Sequence, residues 1–182
     1  MIYGPEEIID KKGESFVLRS LKQEDRDSLI SFIAQGARES SYFPWAPGET
    51  ELTADNAGEY ILEFENDSRK LLLGTFGDGR LIGLEEFSGL GEWESMRHRC
   101  LMGAGFLKEN QGRSLGTKMV LAAAAAVKEA GYEQLESNAA KDNILSIGFL
   151  RNAGFQEYGM IPHKKKNKDG SYVDELRFVK WL

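Results

Sequence analysis

The stretch Gln111-Gly112-Arg113-Ser114-Leu115-Gly116-Thr117-Lys118 constrains the fold more than any other part of this chain. It stands between a strand-like run, Cys100 to Leu107, and a helix-like run, Thr117 to Ala130. Small residues at 112, 114 and 116 let the backbone turn tightly and approach a ligand closely. A helix start adds unpaired N–H groups and the positive end of a dipole. Such a turn is either a cradle for an anion, with phosphate the usual guest, or an ordinary tight β–α connection.

The apolar pattern orders the rest of the chain. Phe16 to Arg19 reads as a short strand, and Lys22 to Ala34 as an amphipathic helix carrying Leu29, Ile30, Phe32 and Ile33. Ser40 to Gly48 holds Pro44 and Pro47, which rule out a continuous helix. Its aromatics Tyr42, Phe43 and Trp45 either pack on the core or line a pocket. Thr53 to Glu65 is again helical, with Tyr60, Ile61 and Phe64 on one face.

Leu71–Phe76 and Leu81–Phe87 flank Gly77-Asp78-Gly79, a hairpin signal because Asp-Gly favours positive φ. Arg97 to Leu107 completes a meander, and Gly103 and Gly105 mark a bulge or a point of close approach. Thr117 to Ala130 is nearly apolar all round, which predicts a buried helix close to a sheet, capped by Gly131. Glu133 to Asn138 reads as a strand and Asn143 to Ala153 as a helix stopped by Gly154. Phe155–Ile161 and Tyr172–Trp181 form a last strand pair joined by a polar loop. This order predicts one domain over residues 1–182, of α/β (α+β) class. Its mixed central sheet has about six to seven strands, with helices on both faces.

Several functions are excluded by composition or spacing. The net charge of −6 argues against nucleic acid as a partner, which needs clustered positive charge. The run His163-Lys164-Lys165-Lys166-Asn167-Lys168 lacks interleaved aromatics and reads as a solvated loop, with a cation to spare for a ligand's phosphate. The single cysteine, Cys100, fits a reducing compartment, and Met1 to Ser20 carries no secretory pattern, so a cytoplasmic location is expected. The longest apolar run, Met119 to Val127, falls far short of the roughly 20 residues a membrane span needs, so no membrane partner is expected. A Walker A loop is excluded because only Arg113, Ser114 and Leu115 separate the glycines and Thr117 precedes Lys118. His98, His163 and Cys100 are too few and scattered for a metal site.

A second stretch, Asn143-Ile144-Leu145-Ser146-Ile147-Gly148-Phe149-Leu150-Arg151-Asn152-Ala153-Gly154-Phe155, reads alone as an N-capped core helix. In this order and separation, the two stretches resemble motifs A and B of the GNAT superfamily of N-acetyltransferases. Gln111 and Gly116 match motif A, with Ser114 where the family has its first glycine. Asn143, Phe149, Gly154 and Phe155 match motif B, with Ser146 for an alanine. The resemblance covers about residues 14 to 182.

It implies acetyl-CoA in a wedge between the strands 97–107 and 133–138, with the backbone of Phe106 and Leu107 along the pantetheine arm. The amides of Gln111, Gly112, Arg113, Ser114, Leu115, Gly116 and Thr117 would hold the pyrophosphate. An amide near Ala104 or Gly105 would polarise the thioester carbonyl. Asn143 would bond the pantetheine or departing CoA, and Arg151 or Asn152 would lie near phosphate. Tyr42, Phe43 and Trp45 would line the acceptor side. The implied reaction is acetyl transfer to a primary amine by direct attack in a ternary complex. The amine would be a small molecule such as an amino acid or polyamine, or a protein N-terminus or lysine. No metal takes part, and a homodimer is among the assemblies allowed.

The sequence departs from the family in two places. Leu150 stands where a tyrosine acid is frequent, leaving Tyr158 as a distant substitute, and Cys100 stands near the position of a strand glutamate base. The remaining base candidates are His98, two residues from Cys100 on the same strand face, and Glu86 on the neighbouring strand. Glu86 alternates with Leu84 and Ile82, so an inward face would surround its carboxyl with apolar groups and raise its pKa. These departures keep open a catalytically silent CoA-binding sensor or interaction module, and a mononucleotide-binding protein.

Overall fold

A computed structural model of the chain describes residues 1–43, 53–91, 93–167 and 169–182. Its strands are β1 (Glu6–Ile9), β2 (Ser15–Ser20), β3 (Leu71–Gly77), β4 (Arg80–Gly89), β5 (Arg99–Phe106), β6 (Gln134–Ala140), β7 (Gln156–Lys166) and β8 (Tyr172–Trp181). Its helices are α1 (Arg26–Glu39), α2 (Ala54–Asn66), α3 (Leu115–Glu129) and α4 (Ile144–Asn152). The strands form one sheet in the order β1-β2-β3-β4-β5-β6-β8-β7. Every neighbouring pair is antiparallel except β5 with β6.

The predicted turns form where their chemistry demands. Asp78 and Gly79, at φ 50° and 76°, are the two-residue link between β3 and β4. Thr53 caps α2 by accepting the amide of Asn56, whose side chain accepts the amide of Thr53 at 2.7 Å. Gly154, at φ 87°, ends α4.

The eighth strand, β1, was not predicted. Only Ile8 of its four residues is buried, so no alternating pattern marks it. The structure also corrects the helix expected to be buried all round. α3 buries Leu115, Met119, Val120, Ala123 and Val127, while Leu121 is 56% exposed on the other side. Ala123 packs into the core, while the exposed Ala125 contributes helix propensity rather than burial.

Two apolar clusters sandwich the sheet. One joins α3 and α4 to Leu18, Leu73, Phe87, Cys100, Met102 and Phe178. The other joins α1 and α2 to Leu72, Phe76, Leu81, Leu84 and Leu107. Between β3 and β4 the register slips, Thr75 facing Gly83 while Phe76 faces Leu81, so Ile82 is an extra residue in β4. The bulge puts Ile82 in the α3/α4 cluster and Leu84 in the α1/α2 cluster. The simple alternation expected for Ile82, Leu84 and Glu86 is broken there. Among the described residues, no helix is long and apolar enough to cross a membrane.

Candidate active site

The parallel pair β5 and β6 is joined only at Arg99–Gln134, Cys100–Leu135 and Leu101–Glu136. Beyond these positions the strands separate, and Ser137 Oγ donates to Met102 O at 3.0 Å where the gap begins. Peptide groups of a strand point alternately to its two edges. Arg99 O accepts from Leu90 N, and Leu107 N donates to Ile82 O, so the odd-numbered residues of β5 bond towards β4. Met102, Ala104 and Phe106 therefore turn their N–H and C=O groups into the gap. Gly105 does not, because the same alternation commits its peptide groups to β4, and Leu107 does not, because its N–H bonds Ile82 O and its C=O accepts from Asn110 N at 2.9 Å. Of the backbone groups expected in the wedge, Phe106 and Ala104 stand there. A cavity of about 520 Å³ fills the gap, bounded by Met102, Ala104, Asn138, Asn143 and Phe149 among others.

The gap leads to the glycine-rich turn. Gly112 and Ser114 both adopt positive φ, 65° and 67°. Ser114 is the N-cap of α3 yet makes no side-chain cap. The amides of Gly112, Arg113 and Ser114 have no partner among the described residues. Those of Leu115, Gly116 and Thr117 lie in the first helical turn, which has no intrahelical acceptors. The row of donors fits an anion. Gln111 differs: its amide bonds Lys108 O at 3.3 Å, and its Nε2 folds back on Phe106 O at 3.0 Å. A Cβ at Gly116 would sit 3.0 Å from Phe149 and 3.2 Å from Phe106, so a side chain there would crowd both rings.

Arg113 contributes an amide but not its charge. Its guanidinium lies 2.5 Å from both Asp10 and Glu14, over the ring of Phe16. Arg151 is likewise committed, to Glu157 at 3.2 Å near the C-terminal end of α4, while the cavity meets the other end. Asn143 caps α4 by accepting the Ser146 amide at 3.2 Å and borders the cavity.

On the α1/α2 side of the sheet, Gly103 and Gly105 face side chains. A Cβ on Gly103 would lie 3.2 Å from Glu86 Oε1, and one on Gly105 would lie 3.1 Å from the Phe43 ring. Glu86, Tyr42 and Phe43 all border the cavity. Trp45 lies outside the described residues. Tyr60 of α2 donates a hydrogen bond to Glu86 Oε2. Burial, and then Glu86 itself, raise the Tyr60 phenol, so it stays a donor.

The carboxyl buried among apolar groups is the neighbouring Glu85. It is 0% exposed, neither oxygen has a hydrogen-bond partner among the described residues, and burial pushes its pKa well up.

His98 is not in this group. It precedes β5, and its carbonyl accepts from Glu133 and Gln134 at the joined end of the strand pair. Cys100 is buried under α3, where burial pushes its thiol up to about 12. Leu150 is 1% exposed inside α4's packing face. Tyr158 donates to Glu136 at 3.1 Å, and Glu136 is clamped by Arg99 beside the joined end of the strands. Burial and Glu136 raise the Tyr158 phenol.

Residues 15–156 match the family described as acetyltransferase (GNAT) domain. The chain belongs to the GNAT acetyltransferase family. No curated protein matches it by sequence. Its fold is similar to that of an acetyltransferase of the GNAT family from Streptococcus pneumoniae. The TM-score is 0.85 at 15% identity, over 92% of this chain and 99% of the other. A putative acetyltransferase from Salmonella typhimurium, solved with its cofactor acetyl-CoA, gives 0.79 at 16% identity over 92% and 94%. A phosphinothricin acetyltransferase from Sinorhizobium meliloti in complex with acetyl-CoA gives 0.78 at 15% identity over 92% and 88%.

Three features of this GNAT acetyltransferase were missed in the sequence. Tyr60 was read only as an apolar-face residue of α2. Ser137 carried no signal within its strand. The basic run was expected as a loop, but β7 extends to Lys166, and Lys165 Nζ reaches Ser41 O at 2.7 Å beside Tyr42.

Proposed function

We propose that this protein transfers the acetyl group of acetyl-CoA to a primary amine by direct attack in a ternary complex. The acceptor is a small molecule such as an amino acid or polyamine, or a protein N-terminus or lysine. The observation that carries the reading is the line of donors running from Met102, Ala104 and Phe106 into the turn at Gly112–Thr117. Acetyl-CoA supplies an activated acyl group on a good leaving thiolate. The chain's residues fit it at both ends: the unpartnered amides of the turn suit a pyrophosphate, and the edge of β5 suits an amide-bearing arm.

The Ala104 amide is the donor that would meet negative charge developing on the acyl oxygen. Asn143, whose side-chain Nδ2 has no partner among the described residues, would hold the arm or the departing thiol. Glu86, which is paired with Gly103 on the neighbouring strand and borders the cavity, would take the proton from the acceptor ammonium, which is the dominant form of a free amine at neutral pH. Tyr42 and Phe43 would contact the acceptor body.

Isothermal titration with acetyl-CoA, followed by release of free thiol across an amine panel, tests this. No binding would sink it, and ATP competing for the site would favour a mononucleotide.

A second reading is a CoA-binding module without turnover, acting as a sensor or interaction domain. Leu150, buried and without a hydroxyl, favours it. Binding with no turnover on any amine would establish it, while turnover abolished by Gly116→Glu would exclude it.

A further inference from the structure

Glu86 is held from outside its own strand. Tyr60, on α2, donates its hydroxyl to Oε2, and Tyr60 is itself fixed against Phe64 at 5.1 Å between ring centroids. The other oxygen, Oε1, faces Gly103, where a Cβ would stand 3.2 Å from it. Among the described residues no other hydrogen bond or ion pair engages Glu86. The charged side chains bordering the same cavity are Asp142, Lys164, Lys165, Asp174 and Glu175. Asp174 is engaged by Lys141 and the His163 amide, Glu175 by Arg177, and Lys165 by Ser41 O. On α2 itself, Glu63 acts on Tyr60 rather than on Glu86.

We propose that Tyr60 is a positioning residue for proton removal. It pins one carboxylate oxygen of Glu86, so that the other is presented through the Gly103 gap to the acceptor amine. The inference rests on Glu86 being the base, as argued above. In the step itself, an N–H bond of the acceptor ammonium breaks, an O–H bond forms at Oε1, and the nitrogen keeps the electron pair for attack. The Tyr60 proton does not move. The hydrogen bond removes rotamers that would take Oε1 away from Gly103.

The test is Tyr60→Phe, alone and combined with Glu86→Gln, in the full chain. For Tyr60→Phe we expect unchanged acetyl-CoA affinity and kcat reduced roughly tenfold. The KM for the amine should change little, so the loss falls on kcat. In the Glu86→Gln background, Tyr60→Phe should have no further effect. Wild-type kcat in Tyr60→Phe, with Glu86→Gln inactive, would overturn the positioning role and leave the base intact. Wild-type activity in Glu86→Gln would overturn the base itself. A purely structural Tyr60 would lower acetyl-CoA binding and stability, and its effect would persist in the Glu86→Gln background.

Discussion

Arg113 ties the glycine-rich turn to the N-terminal hairpin: its Nε stands 2.5 Å from Asp10 Oδ2, the two residues 103 positions apart. Lys11 N also donates to Arg113 O, so backbone and side chain both anchor the turn. The Asp10 carboxyl would be pushed up by burial, but the amides of Glu14 and Lys12 and the Arg113 guanidinium outweigh this and hold it below its ordinary value. The arrangement fixes six donors without using the arginine's charge on a ligand. Arg113→Met should therefore raise the acetyl-CoA KM on the order of tenfold to a hundredfold, through misplacement of the amides, with a smaller change in kcat. Asp10→Asn should act in the same direction. Steady-state kinetics check this, and an unaltered KM in both variants would contradict it.

The same turn carries a local strain that can be read as stability. Ser114 occupies the left-handed region, which costs a non-glycine residue about 1 kcal/mol or more. Glycine removes that strain, although its freedom in the unfolded chain offsets roughly half of the gain. A β-branched residue makes the conformation harder still. Thermal unfolding should rank Ser114→Gly above the parent chain and Ser114→Val below it. Equal melting of the two variants would contradict the left-handed conformation.

Glu85 makes stability depend on pH in a defined direction. Its burial raises its pKa above the ordinary value of 4.5. Below that value both folded and unfolded chains hold the proton, and the folded state loses nothing. As pH rises above it, the unfolded chain ionises first, and the folded state is progressively disfavoured until Glu85 itself ionises. Glu85→Gln removes the ionisation. Denaturant unfolding should show the variant gaining on the parent with increasing pH, at about 1.4 kcal/mol per unit while the difference persists. Parallel pH dependences would show that Glu85 titrates normally.

What could be read in the sequence depended on whether a residue's role is local. The Asp78-Gly79 hairpin, the Thr53 cap and the Gly112–Gly116 turn each follow from conformations imposed within a few residues. Motif order then led to the separation of β5 and β6, and to Phe106 and Asn143 at its edges. The bulge at Ile82 adds one residue without a mark in composition, and it placed Glu85, not Glu86, in the apolar interior. His98 was placed by counting from Cys100, but β5 begins only at Arg99, at the joined end. The pairings Tyr60–Glu86 and Arg113–Asp10 join residues 26 and 103 positions apart, which no periodicity reports.

The Gly103 gap gives a test of the acceptor side that does not touch a polar atom. A Cβ there would stand 3.2 Å from Glu86 Oε1 and 3.3 Å from its Cγ, closer than ordinary contact, so Glu86 must give way. Tyr60 holds the carboxylate from behind, which makes yielding costly. Gly103→Ala should lower kcat by roughly tenfold, because small displacements of a base are expensive, while acetyl-CoA binding stays unchanged. Freed from Tyr60, the carboxylate can swing aside, so the effect of Gly103→Ala should shrink in a Tyr60→Phe background. Gly105→Ala crowds Phe43 instead, at 3.1 Å, and should raise the acceptor KM with kcat little altered. If both alanines acted alike on kcat and KM, the two glycines would be serving only the packing of β5. The division between a proton-removing end and an acceptor-holding end would then fall.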